Sequence, residues 1–189
     1  MANFTAVFDA CVLYPAPLRD LLMSVAMTEQ FRAKWSSDIN NEWMRDLLKN
    51  RTDLTAEKLQ RTAELMRQAV PDSLVENYQG LINALQLPDP DDRHVLAAAI
   101  KCQADVIVTN NLKDFPAEIL ETYQIEAQSP DTFLSHLFDL NPIAFCNAIK
   151  QQRERLQNPA HTAEELLDIF NNQGLPLTVN KLKEAVDLI

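Results

Sequence analysis

At 189 residues, 47% of them hydrophobic, the chain can bury one core with a small appendage, and its formal net charge of −10 argues against gripping nucleic acid through an overall field. Its two glycines, Gly80 and Gly174, exclude both the GxGxxG dinucleotide loop and the Walker loop, each of which needs several glycines to bring backbone close to phosphate. Cys11, Cys102 and Cys146 lie in apolar runs without CxxC spacing and read as reduced core residues; no apolar run reaches about 18 residues and Met1–Phe4 lacks a basic signal region, which points to a cytoplasmic protein with no membrane partner.

The first predicted element is a strand over Phe4–Phe8, a β-branched and aromatic run that delivers Asp9 at its C-terminal end. In open α/β sheets that edge is where sites form. Pro15 and Pro17 lead into a helix over about Leu18–Thr28, with Leu21, Leu22, Val25 and Ala26 on one face. Phe31–Trp35 reads as a brief strand, after which Ser37 caps a helix to about Asn50 with Ile39, Trp43 and Leu47 in one stripe. Glu42 sits beside that stripe and by itself reads as a solvated helix acid. Thr55 starts a further helix to about Val70, whose exposed face carries Lys58, Arg61 and Arg67; such charge serves solubility first and RNA phosphate second. Trp43, Met44, Leu47, Leu48, Leu65 and Met66 exceed what one sheet face can cover, which predicts a homodimer built on these helices.

Ser73–Tyr78 reads as a strand, and Asp89-Pro90-Asp91-Asp92 then precedes an alanine-rich helix to about Gln103. Pro90 suits a first helical turn, and Asp91 and Asp92 complement the helix dipole. At about 100° per residue, Asp91 and Asp92 bracket the apolar face of Val95, Leu96, Ala98, Ala99 and Cys102, so at least one of them points inward. An inward acid needs a partner, a metal ion being one candidate. His94, beside Arg93, reads as a surface helix residue. Asp105–Thr109 is the strongest strand in the chain and runs out into a polar loop bearing Thr109, Asn110, Asn111 and Asp114. A helix over Pro116–Tyr123, a strand over Gln124–Ala127 and a helix from Ser129-Pro130 to about Leu140 complete a β-α alternation, hence a parallel sheet with helices on both faces.

Residues 141–189 read as helical only: a row of Ile143, Cys146, Ile149 and Leu156, a break at Asn158-Pro159, a capping box of Thr162 with Glu165, a stop at Gly174, and a last helix from Thr178. The expected division is a nuclease-like domain over 1–140 and a helical C-terminal extension over 141–189.

Asp9 and Asp114 follow strands, Asp91 or Asp92 opens an inward helix, and the strand ends of one parallel sheet converge. Three or four carboxylates in one cleft repel one another and raise their coupled pKa values unless Mg2+ or Mn2+ neutralises them. Val7-Phe8-Asp9-Ala10-Cys11-Val12-Leu13-Tyr14, Glu42 in the second helical region, Asp92-x-x-Val95-Leu96-Ala97-Ala98 and Ile107-Val108-Thr109-Asn110-Asn111-Leu112-Lys113-Asp114-Phe115 together resemble the PIN-domain ribonucleases, particularly the VapC-like toxins of toxin–antitoxin pairs. The resemblance spans residues 4 to about 140.

It implies an α/β PIN-like three-layer sandwich, with the four acidic positions carried by Asp9, Glu42, Asp92 and Asp114 as metal-holding and catalytic residues. Asp91, Thr109 and Asn111 support them, and the family's D-x-x-[IV] spacing favours Asp92 over Asp91. Many members have Asp where Asn111 stands, which leaves Asp114 as fourth ligand or as a supporting group. The implied activity is hydrolysis of RNA phosphodiesters by a metal-activated water, leaving 5′-phosphate and 3′-hydroxyl ends, with homodimerisation and inhibition by a cognate antitoxin. The competing readings are three: a haloacid-dehalogenase-type phosphatase, which wants an acid where Cys11 stands; a duplex-DNA nuclease, which wants a basic clamp; and a non-catalytic PIN-like interaction module.

Overall fold

The computed structural model describes residues 4–189; residues 1–3, part of the stretch read as lacking a signal region, lie outside the described residues. Five strands, β1 (Thr5–Phe8), β2 (Arg32–Ser36), β3 (Leu74–Val75), β4 (Val106–Val108) and β5 (Glu126–Gln128), form an all-parallel sheet in the order β3-β2-β1-β4-β5. β1 and β4 are buried along their whole length, which is why their sequences run apolar without alternation. From β1 the chain winds outward through β2 and β3, then returns to lay β4 on the other side of β1 and β5 beyond it. The winding therefore reverses between β1 and β4, the place where open α/β sheets form a crevice at their carboxyl edge. Register there is tight: Phe8 pairs with Val108, and the ladder continues one residue further through the Asp9 N–H donating to Val108 O at 3.1 Å.

The helices around the sheet are α1 (Ala10–Leu13), α2 (Ala16–Ala26), α3 (Ser37–Asn50), α4 (Ala56–Ala69), α5 (Gln79–Ile82), α6 (Arg93–Lys101), α7 (Ala117–Leu120), α8 (Pro130–Leu140), α9 (Pro142–Arg155), α10 (Ala163–Asn172) and α11 (Pro176–Glu184). Helix α6 packs across β1, β2 and β4, and its small, fully buried Ala97, Ala98 and Ala99 let its backbone come close to the strands. Phe8 stacks on Trp35 at 6.4 Å and meets Phe133 edge-on at 6.1 Å, joining β1, β2 and α8. The buried Arg19 guanidinium donates to the Leu13 carbonyl at 2.7 Å and lies 4.8 Å from the Trp43 ring, fixing α3 against the end of α1.

Several boundaries differ from the sequence expectation. Ser36, not Ser37, caps α3, because its extended backbone aims Oγ at the Ile39 N–H. The strand expected over Ser73–Tyr78 is only two residues long, since Tyr78 turns inward to donate to Asp38 at 2.5 Å. Pro90–Asp92 form a 3-10 turn capped by Asp89, and α6 proper begins at Arg93. Strand β5 starts at Glu126 because Gln124 adopts φ 58°. The capping box of Thr162 and Glu165 is present, and Gly174 ends its helix with φ 77°.

Helices α9, α10 and α11 dock on the sheet-bearing part of the chain, α9 and α10 against α2, and α11 against α8. Phe145, Ile149, Phe170 and Leu182 are fully buried in that contact, whereas Ile143, expected in the same apolar row, is 71% exposed at the start of α9. Thr178 does not cap the last helix. Asp131 of α8 does so instead, accepting from the N–H groups of Leu177 and Thr178 and from the Thr178 hydroxyl, each at 2.9 Å.

Candidate active site

Asp9 leaves the end of β1 and is 2% exposed, so its carboxylate depends on protein donors. Its Oδ1 accepts from the Ala10 N–H at 2.6 Å, and its Oδ2 from the Thr109 hydroxyl at 2.7 Å and the Cys11 thiol at 3.0 Å. Thr109 sits at the same level just past the end of β4, and its Oγ1 accepts the Asn111 N–H at 3.0 Å, leaving the hydroxyl proton for Asp9. Burial raises the Asp9 pKa, opposed by the Thr109, Cys11 and Ala10 hydrogen bonds and reinforced by the charge of Glu42. Burial and the Asp9 charge push the Cys11 thiol up to about 12, so it stays protonated and serves as a donor.

A cleft of about 480 Å3 is lined by Asp38, Glu42, Asp89, Asp91, Asp92 and Asp114 together with Asn41, Arg45, His94 and Asn111; Asp9 is buried behind its wall and reaches Asp92 and Glu42 through its charge. Helix α3 supplies Asp38 and Glu42 one turn apart, the 3-10 turn before α6 supplies Asp91 and Asp92, and the turn after β4 supplies Asp114. Asp92 is half-buried, and its pKa is raised to about 7 by that burial and by the charges of Asp9, Asp89, Asp114 and Glu42. Asp91 is exposed at the rim, and its N–H donates to Asp89. Asp9, Glu42, Asp92 and Asp114 thus share one electrostatic neighbourhood, with Thr109 bonded to Asp9 and Asn111 on the cleft wall.

Four participants were not legible as such in the sequence. His94 is not a surface residue: its side chain is 15% exposed and its Nε2 lies 3.0 Å from Glu42 Oε2. Burial disfavours its charged form, but the hydrogen bond and charge of Glu42, with Asp38 and Asp9 behind, outweigh that and raise its pKa. Cys11, a free thiol packed against the core as expected, also contacts the site. Asp38 and Asp89 also face the cleft; the one-turn spacing of Asp38 from Glu42 was the available signal for the former.

The carboxylates offer hard oxygen donors, and burial together with the neighbouring acidic charges raises Asp92 to about 7, an excess of negative charge that suits a divalent cation. Among the described residues, no group of three or more His, Cys, Asp or Glu side chains is drawn together tightly enough to hold a metal ion. The acids face a shared cleft and do not form a closed cage. Among the same residues, no helix is long and apolar enough to cross a membrane.

Residues 5–113 match a family model described as PIN domain, and residues 130–184 match one described as VapC50 C-terminal domain, which begins at α8. Over 82 residues the chain is 45% identical to "Putative ribonuclease VapC50" of Mycobacterium tuberculosis strain ATCC 25618 / H37Rv, a match covering 43% of this chain and 48% of that protein. The match thus spans about half the length of that relative. No solved structure matches.

Proposed function

The chain belongs to the PIN-domain family, and from that premise we propose that it is a divalent-metal-dependent endoribonuclease, the toxin component of a toxin–antitoxin pair. One observation carries the reading: carboxylates from α3, the turn before α6 and the turn after β4 line one cleft, Asp9 at the end of β1 adds its charge to theirs, and burial together with these neighbouring charges raises Asp92 to about 7. Asp9, Glu42, Asp92 and Asp114 are the residues that would hold Mg2+ or Mn2+, and the cation when bound would offset phosphate charge and activate water. The chain's own part is preorganisation. Three donors fix Asp9, His94 orients Glu42, and Thr109 ties the end of β4 to Asp9 so that the acids meet the scissile phosphate from several sides.

The same reading carries a single-stranded RNA substrate, a cytoplasmic location, a cognate antitoxin and a homodimer. The similarity to a protein named putative ribonuclease supports RNA as the substrate. For the homodimer, Trp43, Leu47 and Met66 are buried within the chain, so the apolar surface left for a second copy on α3 and α4 narrows to Leu48, Leu65 and the half-buried Met44. The deciding experiment incubates purified protein with RNA oligonucleotides and Mn2+ or Mg2+. Cleavage that EDTA stops and that Asp9→Asn or Asp92→Asn abolishes is expected, whereas undiminished cleavage by either variant or in EDTA defeats the metal mechanism. An interaction module without catalysis would bind its partner yet cleave nothing under any of these conditions.

A further inference from the structure

Beside the acid cleft lies a second hollow, about 470 Å3, between α3 and α4, and Asn41 and Arg45 line both. Its lining is largely aliphatic, with Met44, Leu48 and Leu59, and Leu48 is 40% exposed. Arg45 and Lys49 stand exposed along it. Asn41, Arg45, Leu48 and Lys49 recur at i, i+4, i+7 and i+8, so they form one stripe of α3. That stripe starts beside Glu42 and climbs the helix for about 12 Å away from the acids.

Charge reverses along the same path. Between residues 45 and 67 stand Arg45, Lys49, Arg51, Lys58, Arg61 and Arg67 against Asp46, Asp53, Glu57 and Glu64, a local +2 that leaves −12 for the remainder of a chain at −10. Asp46 pairs with both Arg45 and Lys49 at 3.3 Å, but the two cationic side chains are 62% and 64% exposed. Exposed pairs of this kind are worth little and exchange readily for phosphate.

We infer that the α3–α4 groove is the track along which single-stranded RNA leaves the cleft, Arg45 and Lys49 meeting backbone phosphates while Leu48 and Met44 receive an unstacked base. This rests on the ribonuclease reading. A polyanion fits this rim, a basic peptide is repelled by it, and the aliphatic lining between the cations suits a base freed from its stack.

The test compares a dozen-nucleotide RNA with a dinucleotide too short to reach the groove, both with Mn2+, for wild type, Leu48→Ser/Lys49→Ala, Arg45→Ala/Lys49→Ala and the control Arg61→Ala/Arg67→Ala, whose residues lie outside the groove. The groove variants are expected to lose about tenfold of the wild-type preference for the longer RNA, through KM. Removing both groove cations should flatten the slope of log(kcat/KM) against log salt by about 1.4, about 0.7 per phosphate contact. The control keeps both properties. Unchanged preference in the groove variants overturns the track even though RNA is cut, and equal losses in the control overturn it in favour of a diffuse field. Light scattering that shows a dimer dissolved by Leu48→Ser/Lys49→Ala overturns it in favour of a second copy. Absence of RNA cleavage by wild type defeats the ribonuclease reading itself, and the track with it.

Discussion

His94 Nε2 lies 3.0 Å from Glu42 Oε2, joining α6 to α3 across 52 residues of sequence. Among the described residues His94 Nδ1 is buried without a partner, so the ring forgoes one hydrogen bond while keeping the one to Glu42. Groups that orient a metal-holding side chain typically change affinity by about 10- to 100-fold when removed. His94→Ala is therefore expected to weaken Mn2+ binding by calorimetry about tenfold or more, with little change in melting temperature because the orphaned Nδ1 goes too. His94→Gln, which offers an amide in place of Nε2, should restore most of the affinity. Wild-type affinity in His94→Ala would remove the orienting role.

Asp92 gives the metal-free protein a defined pH dependence. Its folded-state pKa, raised to about 7 by burial and by its acidic neighbours, exceeds the ordinary 3.8, so the folded state binds the proton more tightly than the unfolded chain. The resulting stability is fully present below about pH 3.8 and is lost as pH rises through about 7. In EDTA, Asp92→Asn should flatten this dependence. At pH 8 it should melt about 3–6 °C above wild type, taking about 1.5 kcal/mol after discounting for partial exposure. Saturating Mn2+ should reverse the order, stabilising wild type and leaving the variant unmoved. A variant less stable than wild type in EDTA at pH 8 would show that Asp92 is not under carboxylate strain.

Thr109 is the donor that Asp9 can least spare, being fully buried itself. Thr109→Val keeps the shape but removes the hydroxyl from Asp9 Oδ2 and the acceptor from the Asn111 N–H, a loss of about 2 kcal/mol or about 4–8 °C in melting temperature. With one fewer donor opposing burial, the Asp9 carboxyl titrates higher. The acidic limb of the RNA-cleavage profile should then move to higher pH, and Thr109→Ser should bring it back. An unmoved limb in Thr109→Val would mean that Asp9 does not set it.

The sheet and half of the site were legible because they follow from local pattern: strands that end on Asp9 and Thr109 must become neighbours once the β-α alternation makes the sheet parallel. Asp92 could be separated from Asp91 only by the resemblance, since helical phase left both open. The observed 3-10 turn shows why, because the first residues there do not follow the α-helical period. His94 was unreadable for a different reason. Its burial comes from Glu42 on another helix, and nothing near Arg93 in the sequence announces a partner 52 positions away. Cys11 packs against the core as its apolar neighbourhood indicates, and only the fold shows that its thiol also donates to a carboxylate. The Asp131 cap was hidden likewise, the first amide it serves lying 46 residues later.

That cap sets the expectation for residues 141–189. Helices of 9 to 14 residues have little stability of their own, and here α9, α10 and α11 draw it from buried contacts with α2 and α8. Asp131 accepts three hydrogen bonds at the start of α11, where its negative charge also meets the positive end of the helix dipole. Asp131→Ala should cost about 2–4 kcal/mol. By hydrogen exchange, amides of α11 should open well before those of β1 and β4, since the sheet does not depend on the cap. Deleting everything after Leu140 uncovers the faces of α2 and α8 that Phe145, Ile149 and Phe170 now cover, and the truncated chain is expected to aggregate or to melt far below the full chain. A truncated chain that melts like the full one would mean that these helices contribute nothing to the fold. Were it also to cleave RNA while losing inhibition by its antitoxin, the apolar contacts seen here would be dispensable packing, and the extension would serve partner recognition instead.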